Sequence, residues 1–220
     1  MHPARGMCEV LPLRVNFYQT MGQPEIQNRH TVAEYFALEA QSEMRHEYFD
    51  GEVFAMAGGT IPYNLIKGNI VAGLRPGVRQ RGCRLYDESV RLSVQNDSHY
   101  TYPDVMVSCD PSDRRDPLVI RQPVLIVEVL SPSTAEYDRS RKFNQYKKIP
   151  SLRHYILVSQ TAWVLEWFRR DDVGQWIYTV LSDPADVLEI SDLNLRLPLA
   201  DVYDDTDVAP LALISAPEHP

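Results

Sequence analysis

Lysine is scarce in this chain. Of 22 basic side chains only four are lysines, Lys67, Lys142, Lys147 and Lys148, and the formal net charge over 220 residues is −8. Such an acid excess excludes a protein that coats nucleic acid by bulk charge, though a local basic patch survives within it. Cysteine is as thin, with Cys8, Cys83 and Cys109 odd in number and far apart. They offer neither a paired metal motif nor a disulfide framework, so a reducing, cytoplasmic setting is expected. The six histidines are scattered with none at i,i+3 or i,i+4, which argues against zinc. No apolar run approaches a membrane span, and the N-terminus lacks the uninterrupted apolar core of a signal peptide. What remains is 44% hydrophobic and 24% charged, a globular composition on a chain long enough to bury one core.

Residues 1–29 carry no sustained period and are expected to be poorly ordered, a boundary that suggests translation beginning at Met21. The next segment, 30–200, reads as a single domain, and 201–220 as an acidic, Pro-containing tail, half-ordered after about Pro198. Thr31 and Glu34 form a capping box ahead of a helical run. Asp50-Gly51 between alternating apolar stretches signals a hairpin over strands near 46–49 and 52–56. Gly58-Gly59-Thr60 opens a helix with Ile66, Ile70 and Leu74 on one face, ending around Pro76-Gly77. Four strand-like stretches follow, at 83–86, 90–94, 100–108 and 124–130, then a helix from about Asp138 to Lys148. A strand at 155–158 and an outer hairpin of 163–169 with 175–181 complete an α/β sandwich.

The chemistry concentrates in PVLIVEVLSPST, residues 123–134. Val124–Leu130 is apolar enough for a fully buried strand, yet Glu128 sits inside it. A buried carboxylate needs a partner or takes up a proton. Glu128 therefore reads as a carboxylate paired on an edge face, or as a metal ligand or catalytic acid. A second acid, Asp104, lies in YPDV behind Pro103, and favours the latter. If their strands are neighbours about 4.8 Å apart, the two carboxylates can share one hard cation. Just after Glu128, a helix carries Lys142 and Tyr146 at i,i+4 with Asp138 as its N-cap. That helix is either a solvated basic face or a phosphate-docking one.

The run YPDV, then PVLIVEVLSPST, then DRSRKFNQY resembles the bacterial Uma-two family, a domain of unknown function placed in the PD-(D/E)XK nuclease superfamily. The resemblance extends over EMRHEYFDGEVFAMAGG and SLRHYILVSQ, roughly residues 31 to 200. It implies a restriction-endonuclease-like α/β core, a mixed central β-sheet flanked by helices, with an N-terminal helix and hairpin. It also implies an acidic cluster that binds magnesium, with manganese as substitute, and a lysine that positions or stabilises the attacking water. Position by position, the metal ligands become Asp104, Glu128 and the upstream Glu47, and the basic partner Lys142 with Tyr146 beside it. Two departures stand out. Leu130 occupies the place where the superfamily lysine stands, and Tyr63-Asn64 replaces the His-Asn of relatives.

The expected activity is thus magnesium-dependent endonucleolytic hydrolysis of phosphodiester bonds in DNA. Glu47 also reads as solvent-facing charge around its hairpin, and Tyr146 as a packing aromatic. The alternative reading is a catalytically inactive nuclease-fold binding module, motivated by the net charge and the two departures. Nucleic acid is the expected partner and a membrane is not. A homodimer through the hairpin bearing Trp163, Trp167 and Trp176 is a further expectation.

Overall fold

A computed structural model of the chain describes residues 29–56, 59–95, 98–132 and 134–211. The N-terminal extension up to residue 28, the Met21 start, Gly58 and Ser133 lie outside the described residues. Helix α1 (Val32–Gln41) begins at the expected capping box, Thr31 receiving the Glu34 amide and Glu34 reaching back. Strands β1 (His46–Phe49) and β2 (Glu52–Ala55) form the hairpin over Asp50-Gly51. Both turn residues have positive φ, 50° and 97°, the geometry a two-residue hairpin loop demands.

The expected strand 100–108 is two strands. β5 (His99–Thr101) and β6 (Val105–Ser108) are separated by Tyr102-Pro103-Asp104, and they belong to different sheets. Proline has no N–H to give a ladder, and it forces the residue before it into extended backbone, so pairing stops there. β5 lies in a five-stranded sheet with β1, β2, β4 (Arg91–Val94) and the short β7 (Val119–Ile120), ordered β2-β1-β5-β4-β7. β6 lies in a six-stranded sheet with β3 (Arg84–Asp87), β8 (Pro123–Leu130), β9 (His154–Ser159), β10 (Leu165–Arg170) and β11 (Trp176–Leu181), ordered β11-β10-β9-β8-β6-β3. Each sheet is mixed, with β4–β7 parallel in the first and β8–β9 parallel in the second. The α/β restriction-endonuclease-like architecture is therefore present, built from mixed sheets rather than one. Asp104 sits at their joint.

Helix α2 (Ile61–Gln80) runs past Pro76 instead of ending there. An interior proline costs about 3 kcal/mol. Continuing the helix buries Val78, 2% exposed, beside Ile66, Ile70 and Leu74, which is worth about 1.5–3 kcal/mol and offsets much of that cost. Gly73 and Gly77 face the hairpin of β12 (Val187–Ile190) and β13 (Leu195–Pro198). A Cβ on Gly73 would lie 2.4 Å from Leu197 Cδ1, and one on Gly77 2.7 Å from Leu195 Cδ2. The two glycines let the hairpin seat on the helix.

The helix after β8 starts earlier than expected. α3 (Ala135–Tyr137) passes into a π turn (Asp138–Lys142) and then α4 (Phe143–Tyr146). Asp138 is consequently not an N-cap. It lies inside the helical run, with its side chain buried. The loose tail expected after Pro198 is also corrected as far as residue 211. α5 (Leu199–Val202) buries Leu199 and Val202, Tyr203 is buried beside it, and Trp163 Nε1 donates to Val208 O at 2.6 Å. The tryptophans of the outer hairpin are engaged within the chain. Trp163 stacks on Tyr203, Trp167 donates to His154, and Trp176 meets Phe143 edge-on.

Cysteine reading is corrected too. Cys83 and Cys109 are joined by a disulfide across 26 residues. They flank the paired residues Arg84 and Ser108 at one end of β3 and β6, so antiparallel pairing brings the two thiols face to face. No helix among the described residues is long and apolar enough to cross a membrane.

Candidate active site

Strand register brings the two key acids together. β6 and β8 run antiparallel with Val105 opposite Val127, so Asp104 at the strand entrance falls beside Glu128. Side chains alternate along a strand, and Glu128 points with Ile126 and Leu130 away from the face of Val127 and Val129. Asp104 points to the same side, being one residue before Val105. Asp104 Oδ2 accepts the Val129 amide at 2.6 Å, and Oδ1 accepts the Tyr63 hydroxyl. The backbone break at Pro103 and the first turn of α2 thereby fix this carboxylate.

Glu47 arrives from β1 of the other sheet and is buried, not solvent-facing. Thr101 on the neighbouring β5 donates its hydroxyl to Glu47 Oε1. Lys142 Nζ stands 3.2 Å from Glu47 Oε1, 3.2 Å from Glu128 Oε1 and 3.5 Å from Asp138 Oδ1. Tyr146, one turn on, donates its hydroxyl to Glu128 Oε1 at 2.8 Å. All five residues singled out in the sequence therefore meet at one place. Glu47, Asp104, Glu128 and Lys142 line a cavity of about 430 Å³, together with Tyr63 and Asp138. Tyr146 braces Glu128.

Electrostatics follow from four carboxylates around one ammonium. Burial pushes Glu128 well above the usual carboxylate range, with Lys142 opposing and the other acids adding to the rise. Burial also raises Asp104 and Asp138. Burial alone would raise Glu47 as well, but the Lys142 ammonium and the Thr101 hydroxyl outweigh it and hold Glu47 low. For Lys142 the penalty of burial is exceeded by Glu128 and Glu47, which keep the amine protonated.

Asp138 and Thr101 are site residues that the sequence reading missed. Asp138 stands four residues before Lys142, a spacing that puts both on one helical face. Tyr63, noted in the sequence only as a departure from the relatives' His-Asn, is brought to the site as the hydroxyl donor to Asp104. Thr101 could be found only from the neighbouring strand, through β5 lying beside β1.

An oxygen-only donor set suits a hard cation, and magnesium takes about one or two carboxylates with water completing its shell. Asp138 Oδ1 is buried at the cavity wall without a hydrogen-bond partner among the described residues, with Lys142 Nζ 3.5 Å away. No group of three or more His, Cys, Asp or Glu side chains among the described residues forms an assembled cage. The carboxylates of Asp104 and Glu128 fit a divalent ion as a pair of hard oxygen donors, with Lys142 placed against Glu128, Glu47 and Asp138.

Comparison with known proteins identifies the family and the fold. Residues 32–200 match the model of the Uma2 (Uma-two) family, described as "Putative restriction endonuclease". An uncharacterized Synechocystis protein, slr1290, is 36% identical over 171 residues, 77% of this chain and 89% of its own. A second from the same organism, sll1609, is 30% identical over 167 residues, covering 75% and 94%. The crystal structure of an Anabaena variabilis protein, described as a putative nuclease belonging to DUF820, superposes with a TM-score of 0.67 at 19% identity. It covers 79% of this chain and 97% of that one, a likeness of fold. The chain belongs to the Uma2 restriction-endonuclease-like family.

Proposed function

We propose that the protein is a metal-dependent endonuclease that hydrolyses phosphodiester bonds in DNA. The observation that carries this reading is the convergence of Asp104, Glu128 and Lys142 in one open cavity at the joint of two sheets. Asp104 and Glu128 would hold magnesium, or manganese in its place, with water completing the shell, while Glu47 is held by Lys142 at 3.2 Å. A bound divalent ion supplies charge neutralisation at the phosphate and a hydroxide near neutral pH. The protein's own groups do the rest. Lys142, held protonated by the acids around it, acts as a fixed positive charge toward negative charge building on phosphate oxygens, not as a base. Tyr63 and the Val129 amide keep Asp104 from rotating. Tyr146 does the same for Glu128, and Thr101 for Glu47.

The test incubates purified protein with supercoiled plasmid and magnesium, beside a Glu128→Gln control. Nicking that requires the ion and disappears in the variant supports the assignment. Cleavage unaffected by the substitution or by chelator ends it.

A further inference from the structure

A second cavity adjoins the acidic one. It encloses about 470 Å³, within the roughly 300–1,000 Å³ of small-molecule sites. Glu47, Phe54, Thr134 and Tyr137 line both, so the two share a wall. Its walls differ in kind from the first. Phe54 is 44% exposed on β2, an edge strand, where nothing in the fold requires a large aromatic to face solvent. Tyr137 stands across from it at the end of α3, and Arg141 and Asn144 follow on the same helical run. Among the described residues neither Arg141 nor Asn144 has an ion-pair or hydrogen-bond partner. The carboxylate of the groove, Glu47, is already matched by Lys142 at 3.2 Å, which leaves Arg141 as its uncompensated charge.

Aromatic faces, a free amide and a free guanidinium describe a ligand with a flat apolar body, a hydrogen-bonding edge and an anionic group. A nucleotide has all three, and stacking on aromatics is tolerant of base identity. Resting on the nuclease reading above, we infer that this groove takes a nucleobase of the substrate strand next to the scissile phosphate. A base lodged there has left its helical stack. The preferred substrate is then single-stranded or locally unpaired DNA rather than intact duplex. Phe54 stacks the base, Asn144 meets its edge and Arg141 pairs with a flanking phosphate.

The test is a binding measurement on the full chain with chelator present, so that cleavage plays no part. A short single-stranded DNA oligonucleotide carrying 2-aminopurine is titrated beside its duplex of equal length. The expected result is a fluorescence change with the single strand, tighter binding of it than of duplex, and at least about fivefold weaker single-strand binding for Phe54→Ala. Asn144→Ala, at an exposed helix position, weakens the single strand as well and leaves duplex binding unchanged. Equal binding of both forms, or single-strand binding untouched by either substitution, overturns this inference and leaves the nuclease reading standing. Failure to bind either form also overturns this inference, while the plasmid assay decides the nuclease reading.

Discussion

Asp138 Oδ1 lies 3.5 Å from Lys142 Nζ, four residues away across a π turn, and has no hydrogen-bond partner among the described residues. The same ammonium also contacts Glu47 and Glu128, so a single positive charge faces three buried acids and the stability of the site rests on it. Lys142→Met is expected to cost about 3–5 kcal/mol at neutral pH, the usual result of leaving buried charge unmatched. The unmatched carboxyls would then titrate higher in the folded chain than in the unfolded one. Folded protein binds the extra protons, so the deficit shrinks as pH falls toward the ordinary carboxylate range. Urea unfolding at two pH values checks both statements. A loss under 1 kcal/mol, or one that deepens in acid, contradicts them.

Glu128→Gln has a different expected signature. The amide still accepts from Tyr146, and it relieves a carboxyl that burial and neighbouring acids hold unfavourably. Lys142 loses one partner, which offsets part of that relief. Unfolding free energy is expected to stay within about 1 kcal/mol of the parent, while plasmid nicking drops at least about a hundredfold. A variant that is both inactive and strongly destabilised would mark Glu128 as structural.

His99 supplies a pH dependence opposite in sign to that of the raised acids. Its ring is buried at 1% exposure, and neither nitrogen has a hydrogen-bond partner among the described residues. Burial pushes it down to about 4, against a partial opposing pull from Glu47. Between about 4 and 6.5 the unfolded chain binds this proton and the folded one does not, so stability falls as pH falls through that window. The loss attributable to His99 is about 3 kcal/mol. Denaturation midpoints from pH 7 to 4.5 should decline less steeply in His99→Phe. Parallel curves would show that His99 has no part in the slope.

The Cys83–Cys109 bridge closes a loop of 26 residues. By the chain-entropy argument it stabilises the fold by about 3.5 kcal/mol. The double serine variant should lose roughly that amount in urea unfolding, and reductant should lower the parent to meet it. Reductant without effect on the parent would mean the bridge is not formed in solution.

Local features were legible in the sequence. The Thr31–Glu34 box and the Asp50-Gly51 turn depend on residues within three positions of each other, and both stand as read. The acid pair was legible because a carboxylate inside an apolar strand demands compensation wherever that strand lies. Nonlocal features were hidden. Pro103 announces a break, but the sheet each half joins is chosen by β1, β4 and β8, of which only β4 is a near neighbour along the chain. The disulfide depends on β3 pairing β6, which nothing near Cys83 discloses. Asp138 looked like a cap because its place inside the helix depends on residues 135–137 also being helical.

The joint at Pro103 divides ownership of the centre among three bodies. Glu47 and Thr101 ride on the five-stranded sheet, Glu128 on the six-stranded one, and Lys142 with Asp138 on the helical run. Exchanging the first sheet between relatives would transplant one carboxylate and its hydroxyl donor while the other two bodies keep theirs. A chain cut at Pro103 thus parts Glu47 and Thr101 from Glu128, Lys142 and Asp138, but carries α2 and β3 with the first group and leaves β7 with the second, so the walls of the centre are interleaved along the sequence.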